Sequence, residues 1–192
     1  MTRRTLLTYL LVGSASLATG FALYWLIERT WIAHGQTTLQ APSKSDLIAG
    51  DTLGARRPDF VLPDLDGRNQ SVNQWDGKVV LVNFWATWCP PCRREIPEFV
   101  DVREKYVARG FEVVGIAIEE NHDAVREFAE ETGVNYPLLI GAEPGVEIAR
   151  SYGNRLGALP YSVLFDREGT IRFVRPGELS GETLEIELKK LL

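Results

Sequence analysis

The sequence is short of the residues that hold metals or staple folds: two cysteines, two histidines and one methionine in 192 residues. His34, Cys89, Cys92 and His122 could barely fill one zinc site, and their positions match no ligand spacing. No second cysteine pair exists to complete a Cys-x-x-Cys half-site. Cys89 and Cys92 are too close in the chain to act as a long-range staple, so they are functional or form a local bridge. A basic excess is missing as well. The formal net charge is -5, which argues against a nucleic-acid partner. Internal repeats and low-complexity tracts are absent. What is present, 45% hydrophobic and 24% charged residues, is the composition of a globular protein. The length suits one ordinary domain plus an appendage.

That appendage is apolar. From Thr5 to Ile27 run 23 residues without a charge, preceded by Arg3 and Arg4. As a helix this run spans about 34 Å, enough for the hydrocarbon core of a bilayer. Tyr24, Trp25 and Trp31 stand at its far end, where aromatic rings favour the water–lipid boundary. The paired arginines place the N-terminus in the cytoplasm and the rest outside. A cleaved signal peptide competes with this reading, but a cut near Ala15, Ala18 or Gly20 would leave Phe21–Ile27 as a greasy terminus. Residues 1–27 are therefore read as a single transmembrane anchor, and residues 28–57, where Gln36, Thr37, Thr38, Pro42, Ser43, Lys44, Ser45 and Gly50 leave little apolar periodicity, as a flexible tether. Thirty flexible residues reach about 30 Å on average. Without residues 1–30, which hold three Arg and one Glu, the chain carries 18 basic and 25 acidic residues, net -7. Such a domain is repelled by anionic lipid.

From residue 58 to 192 short apolar runs alternate with helical patterns. Phe60-Val61-Leu62 starts a strand, and Val79–Ala86 is an apolar run broken only by Asn83, suited to a central strand buried on both faces. Phe111–Ile118 and Tyr161–Phe165 read the same way. Arg93–Ala108 carries Ile96, Phe99, Val100 and Val107 at helical spacing and stops at Gly110. Asn121 caps a helix to about Thr132, Pro144 or Gly145 starts another to Tyr152, and Leu184–Leu192 closes the chain. Arg167-Glu168-Gly169 is a hairpin turn. The order predicts an α/β fold with a mixed central sheet flanked by helices.

The chemistry concentrates at Trp88-Cys89-Pro90-Pro91-Cys92, where the buried strand gives way to the long helix. Free N–H groups and partial positive charge at a helix start stabilise a thiolate. Cys89 gains most, and thiols so placed reach pKa values of roughly 3.5–7.5 against about 8.5 when free. Cys92, one turn inward, is expected to be more buried. Pro90 and Pro91 fix φ and need no amide partner in the first turn. A structural role is weak, because a four-residue bridge constrains little of the unfolded chain. Redox catalysis fits better.

The words Pro58-Asp59-Phe60, Gly77–Cys92, Tyr136-Pro137, Leu159-Pro160 and Asp166–Gly169 together resemble the thioredoxin superfamily. Within it they are most similar to membrane-anchored extracytoplasmic thiol–disulfide oxidoreductases of the TlpA/ResA/DsbE (redoxin) family. The resemblance covers about residues 55–192. It implies a thioredoxin fold with an N-terminal β-hairpin and a central αβ insertion, the latter from Asn121–Ile140. It implies that Pro160 is a cis-proline presenting the client backbone, that Leu159 shapes client contact, and that Trp88 shields the disulfide. Pro97 matches the helix-kinking proline. Cytoplasmic thioredoxins carry a buried Asp where this chain has Asn83, and an amide cannot titrate. The likeness to ResA makes Glu95, three residues after Cys92 on the same helix side, the acceptor of the resolving thiol's proton.

The resemblance further implies dithiol–disulfide exchange with no cofactor beyond the Cys89–Cys92 pair. Clients would be disulfide-bearing proteins such as apocytochrome c or oxidase assembly factors. Electrons would come from a membrane donor of the CcdA/DsbD kind, on the periplasmic side of the bacterial inner membrane. Dedicated DsbE proteins have an acidic residue after the cis-proline; here stands Tyr161, which favours the TlpA- or ResA-like label. Two rivals remain in view. A peroxiredoxin would need Thr or Ser where Ala86 stands. A Sco-like copper chaperone would need wider cysteine spacing and a later histidine, for which the sequence offers His122 alone.

Overall fold

The apolar run at Val79 forms strand β3 (Val79–Trp85), every residue of it buried. In the computed structural model, which describes residues 52–192, this strand is the middle of a five-stranded sheet ordered β5-β4-β3-β6-β7. Strands β4 (Phe111–Ala117) and β5 (Leu138–Ile140) continue it in parallel on one side. Strands β6 (Tyr161–Phe165) and β7 (Ile171–Pro176) continue it antiparallel on the other. A separate hairpin, β1 (Val61–Pro63) with β2 (Asn69–Ser71), precedes them.

Side chains of β3 alternate between two cores, as the period of a strand requires. Val79, Leu81 and Trp85 face helix α1 (Pro90–Tyr106) and helix α4 (Gly181–Leu188) in one cluster. Val80, Val82 and Phe84 face the hairpin and Tyr152, which follows helix α3 (Ala142–Ser151), in the other. Each fully buried side chain of this kind contributes about 1.5–3 kcal/mol. Asn83 occupies an odd position, so the same alternation turns its amide towards α1.

Helix α2 (His122–Thr132) and β5 together form the αβ insertion expected between Asn121 and Ile140. Asn121 caps α2 by accepting from the Ala124 amide at 3.1 Å. Gly110, at φ +88, ends the helical stretch after α1 and feeds straight into β4. Two helices start earlier than their sequence pattern suggests. Pro144 lies within the first turn of α3 rather than at its start, and the Ser180 hydroxyl caps α4 well before Leu184.

The tether's last residues join the fold. Gly54 and Arg57 donate backbone hydrogen bonds to Ile171 and Gly169 at 2.8 Å each. The buried Arg57 guanidinium bonds Asp59, Asn73 and Asp76, which fixes this stretch to the domain. The anchor read over residues 1–27 and the tether up to residue 51 lie outside the described residues. Among the described residues no helix is long and apolar enough to cross a membrane.

Candidate active site

Strand β3 ends at Trp85, and Ala86–Trp88 carry the chain from the carboxyl end of this central strand to Cys89, the N-cap of α1. Cys89 and Cys92 are joined in a disulfide, with Cα atoms 5.3 Å apart. Pro90 and Pro91 occupy the first two helical positions, and the Cys89 sulfur accepts from the Cys92 amide at 3.4 Å. Cys89 is 4% exposed and Cys92 not at all. The contrast in access predicted from helix position is thus small in this oxidised state. Trp88, expected to shield the pair, keeps 65% of its surface in solvent and presents an apolar face outward.

The Leu159–Pro160 peptide is cis. Tyr161 pairs with Phe84 across β3 and β6, which puts Pro160 level with Trp85, at the sheet end that leads to Cys89. The Pro160 carbonyl accepts from Gly177 at 2.8 Å. Tyr161 is buried and its hydroxyl donates to the Tyr152 carbonyl at 2.9 Å, so no charge stands after the proline.

Glu95 is entirely buried, one turn after Cys92 on the same side of α1. One carboxylate oxygen accepts from the Asn83 side-chain amide at 2.7 Å, the other from the Leu179 backbone at 2.8 Å. The second Asn83 N–H goes to Ser162 Oγ at 2.9 Å, its antiparallel partner on β6. Burial pushes the Glu95 carboxyl up to about 8, against the pull of those two hydrogen bonds; the nearby Glu178 and Glu98 charges push the same way as burial. Asn83 therefore does two things that an ionised Asp there could not: it donates to Glu95, and it adds no second buried negative charge. The neighbouring loop is held from the same helix face. Arg94 pairs with Glu178 at 2.5 Å, and Glu98 accepts from Gly181 at 2.5 Å. The Arg94 guanidinium holds Glu178 below the usual carboxylate range.

Glu119 is a site residue that the sequence reading missed. Its carboxylate accepts from the Thr87 amide at 2.6 Å and the Thr87 hydroxyl at 2.9 Å, clamping the loop just before Trp88. Arg93 donates to the Thr87 carbonyl at 3.3 Å while its guanidinium lies 4.7 Å over the Phe128 ring. A polar residue just past the carboxyl end of a buried parallel strand was the available signal, since ligand sites of α/β sheets collect there.

The rival readings find little support in these positions. Ala86, where a peroxidase would need a hydroxyl, is buried and apolar. His122 is the exposed first residue of α2. Among the described residues no group of three His, Cys, Asp or Glu side chains is placed to hold a metal ion.

A mixed sheet with a Cys-x-x-Cys pair capping the first long helix, and a cis-proline at the same end of the sheet, defines a thioredoxin-fold thiol–disulfide oxidoreductase. The AhpC/TSA family model matches residues 53–174. The chain belongs to that family and is a redoxin of the TlpA/ResA/DsbE type. It is 36% identical to the thiol-disulfide oxidoreductase ResA of Bacillus anthracis over 139 residues, covering 72% of this chain and 78% of that one. ResA of Geobacillus thermodenitrificans is 33% identical over the same shares. Among solved structures, the thioredoxin-family thiol:disulfide interchange protein of Chlorobium tepidum matches with a TM-score of 0.66 and 32% identity. That match covers 73% of this chain and 98% of the other.

Proposed function

We propose that this oxidoreductase is a membrane-tethered, extracytoplasmic reductase of client-protein disulfides. The observation that carries the mechanism is the Cys89–Cys92 disulfide at the start of α1 with the buried Glu95 carboxyl one turn along. In the reduced enzyme, the Cys89 thiolate attacks a client sulfur; a Cys89–client bond forms, the client disulfide breaks, and one client sulfur leaves as thiolate. Glu95 takes the Cys92 proton, and the Cys92 thiolate attacks the Cys89 sulfur. The second client sulfur leaves, and the enzyme is left as the disulfide described above. Two electrons have passed to the client. A carboxyl held near 8 lies close to the ordinary thiol value of about 8.5, so the proton moves either way at little cost. Trp88, Pro90, Pro91, Leu159 and Pro160 support this exchange by shaping the helix start and the surface a client meets.

The uncharged run at Thr5–Ile27 behind Arg3 and Arg4 supports single-pass anchoring in the bacterial inner membrane with the domain outside. Disulfides persist there, so a reductant has clients to act on. Apocytochrome c and oxidase assembly factors are clients of fitting chemistry, and Tyr161 favours a TlpA- or ResA-like range over a dedicated cytochrome role. The oxidised pair needs two electrons and two protons to act again, which a CcdA- or DsbD-type membrane donor would supply. Acid quenching and alkylation of the full chain in membranes reads this directly. Cys89 and Cys92 should be found as a dithiol where the donor is present and as a disulfide where it is deleted. A pair that stays oxidised with the donor, or stays reduced without it, contradicts the proposal.

A further inference from the structure

The net charge of -7 that follows residue 30 is unevenly spread. Glu119, Glu120, Asp123 and Glu127 gather where β4 ends and α2 begins, at the sheet end that carries Cys89. At the opposite end β3 and β4 start and β6 turns into β7, and there Arg56, Arg109 and Arg167 meet. Arg167 lies across Gly110 and donates to the Gly77 and Arg109 carbonyls at 3.0 Å each. Arg56 donates to the Glu168 carbonyl at 2.8 Å, and the Arg109 guanidinium stacks 5.4 Å over the Tyr106 ring. None of the three pairs with a carboxylate among the described residues. Beside them Lys78 and Arg103 share the one carboxylate of Glu112, while the exposed Glu104 and Glu168 oppose this excess. Leu53 and Val107 stand exposed at the same end.

We propose that this end of the domain seats on a bilayer surface of anionic phospholipid, with the three arginines on headgroup phosphates and the Cys89 end pointing away. The inference rests on the reading that residues 1–27 anchor the chain, and it adds how the anchored domain stands. Three observations support it. The chain enters the fold at this end, where Gly54 and Arg57 bond to Ile171 and Gly169, 24 residues after the apolar run stops at Ile27. Taken as a whole the domain is repelled by anionic lipid, but the screening length at physiological salt is about 8 Å. Strand β3 alone spans about 20 Å, so headgroups meet the arginines and not the distant carboxylates. Finally, Arg56 and Arg167 are held by loop carbonyls and keep further N–H donors for phosphate oxygens, so little ordering is left for binding to cost. At about fivefold in occupancy for each arginine the seat is reversible, which lets the domain lift to meet a membrane electron donor.

The test uses the oxidised full-length chain in vesicles of phosphatidylcholine, alone or mixed with phosphatidylglycerol, each carrying a rhodamine headgroup lipid as energy acceptor. Cys89 and Cys92 are bridged and the sequence has no other cysteine, so one introduced cysteine takes the donor dye. Ala108→Cys puts the dye beside the arginines, and Glu120→Cys puts it at the Cys89 end. With phosphatidylglycerol the dye at 108 should transfer more than the dye at 120. The two should converge in phosphatidylcholine alone, and in about 1 M salt, where the screening length falls to about 3 Å. Arg56→Gln with Arg109→Gln should cut the docked-to-free ratio by about twentyfold, fivefold for each arginine, and leave insulin reduction unchanged. Arg109→Glu alone, at a side chain that only stacks on Tyr106, serves if the pair does not fold. Equal transfer from both positions with phosphatidylglycerol overturns the proposal while leaving the anchor intact. So does greater transfer from 120, or a difference that survives the substitutions. The vesicles hold no other protein, so a patch made for an acidic protein partner gives the equal result. A chain that floats with neither vesicle removes the anchoring reading as well.

Discussion

Cys89→Ser is expected to lower disulfide exchange by about a thousandfold or more, whereas the fold should persist with little change in thermal midpoint. A hydroxyl at the helix start keeps the cap but ionises far too weakly to attack sulfur. The bridge it removes closes only a four-residue loop, so its loss takes little constraint from the unfolded chain. Cys92→Ser should differ in kind. Its first attack through Cys89 remains, and the reaction stalls with enzyme and client joined. Insulin reduction, followed with circular dichroism melts of both variants, separates the two. Comparable turnover by Cys89→Ser, or unfolding of both proteins, would show that the pair is structural.

Glu95→Gln is expected to change how stability depends on pH. In the fold the Glu95 carboxyl is pushed up to about 8 by burial, while in the unfolded chain it ionises near 4.5. Its pKa is thus raised on folding, so the folded state holds a proton that the unfolded state has lost between these values. Stability from this group is complete below about 4.5, falls as pH rises through the window, and levels off above about 8. The whole span is at most ~5 kcal/mol, given about 1.4 kcal/mol for each pH unit. Glutamine carries no proton to lose. Urea denaturation of the oxidised protein at pH 5, 6.5 and 8.5 should therefore show wild type weakening steeply and Glu95→Gln nearly flat. Parallel curves would mean that Glu95 ionises as an ordinary carboxyl. Turnover adds a second readout. The wild-type resolving step should quicken as pH approaches 8, and the variant should lose that limb, with a drop of about a hundredfold near neutrality.

Much of this site was readable from residue order, because its parts follow from local rules. The Val79–Ala86 run, the cysteine pair and Pro90-Pro91 specify a buried strand, a sharp exit and a helix start within 14 residues. The structure puts that helix start at Pro90, with Cys89 as its cap. Asn83 and Glu95 were each visible as unusual, but their contact was not. It depends on Asn83 lying on the α1 face of β3 and on the 178–181 loop bringing the Leu179 amide across. Glu119 was harder still. Its place just past the end of β4 marks it as a candidate, but that does not separate a clamp from a solvated carboxylate, since the partner is the Thr87 amide 32 residues earlier. The same limit applies to Arg56, Arg109 and Arg167, which come together from three separate stretches of chain. Local pattern carries elements and caps, while long-range side-chain contacts need the sheet register to be known.

The central claim is that Cys89 is the attacking thiol and Cys92 resolves the intermediate. Trapping tests it most directly. The full-length Cys92→Ala chain, expressed in its native membrane and quenched in acid, should carry client proteins in disulfide linkage that dithiothreitol releases, and Cys89→Ala should carry none. Capture through Cys92 in the Cys89→Ala chain, or no Cys89-linked protein at all, would contradict the account.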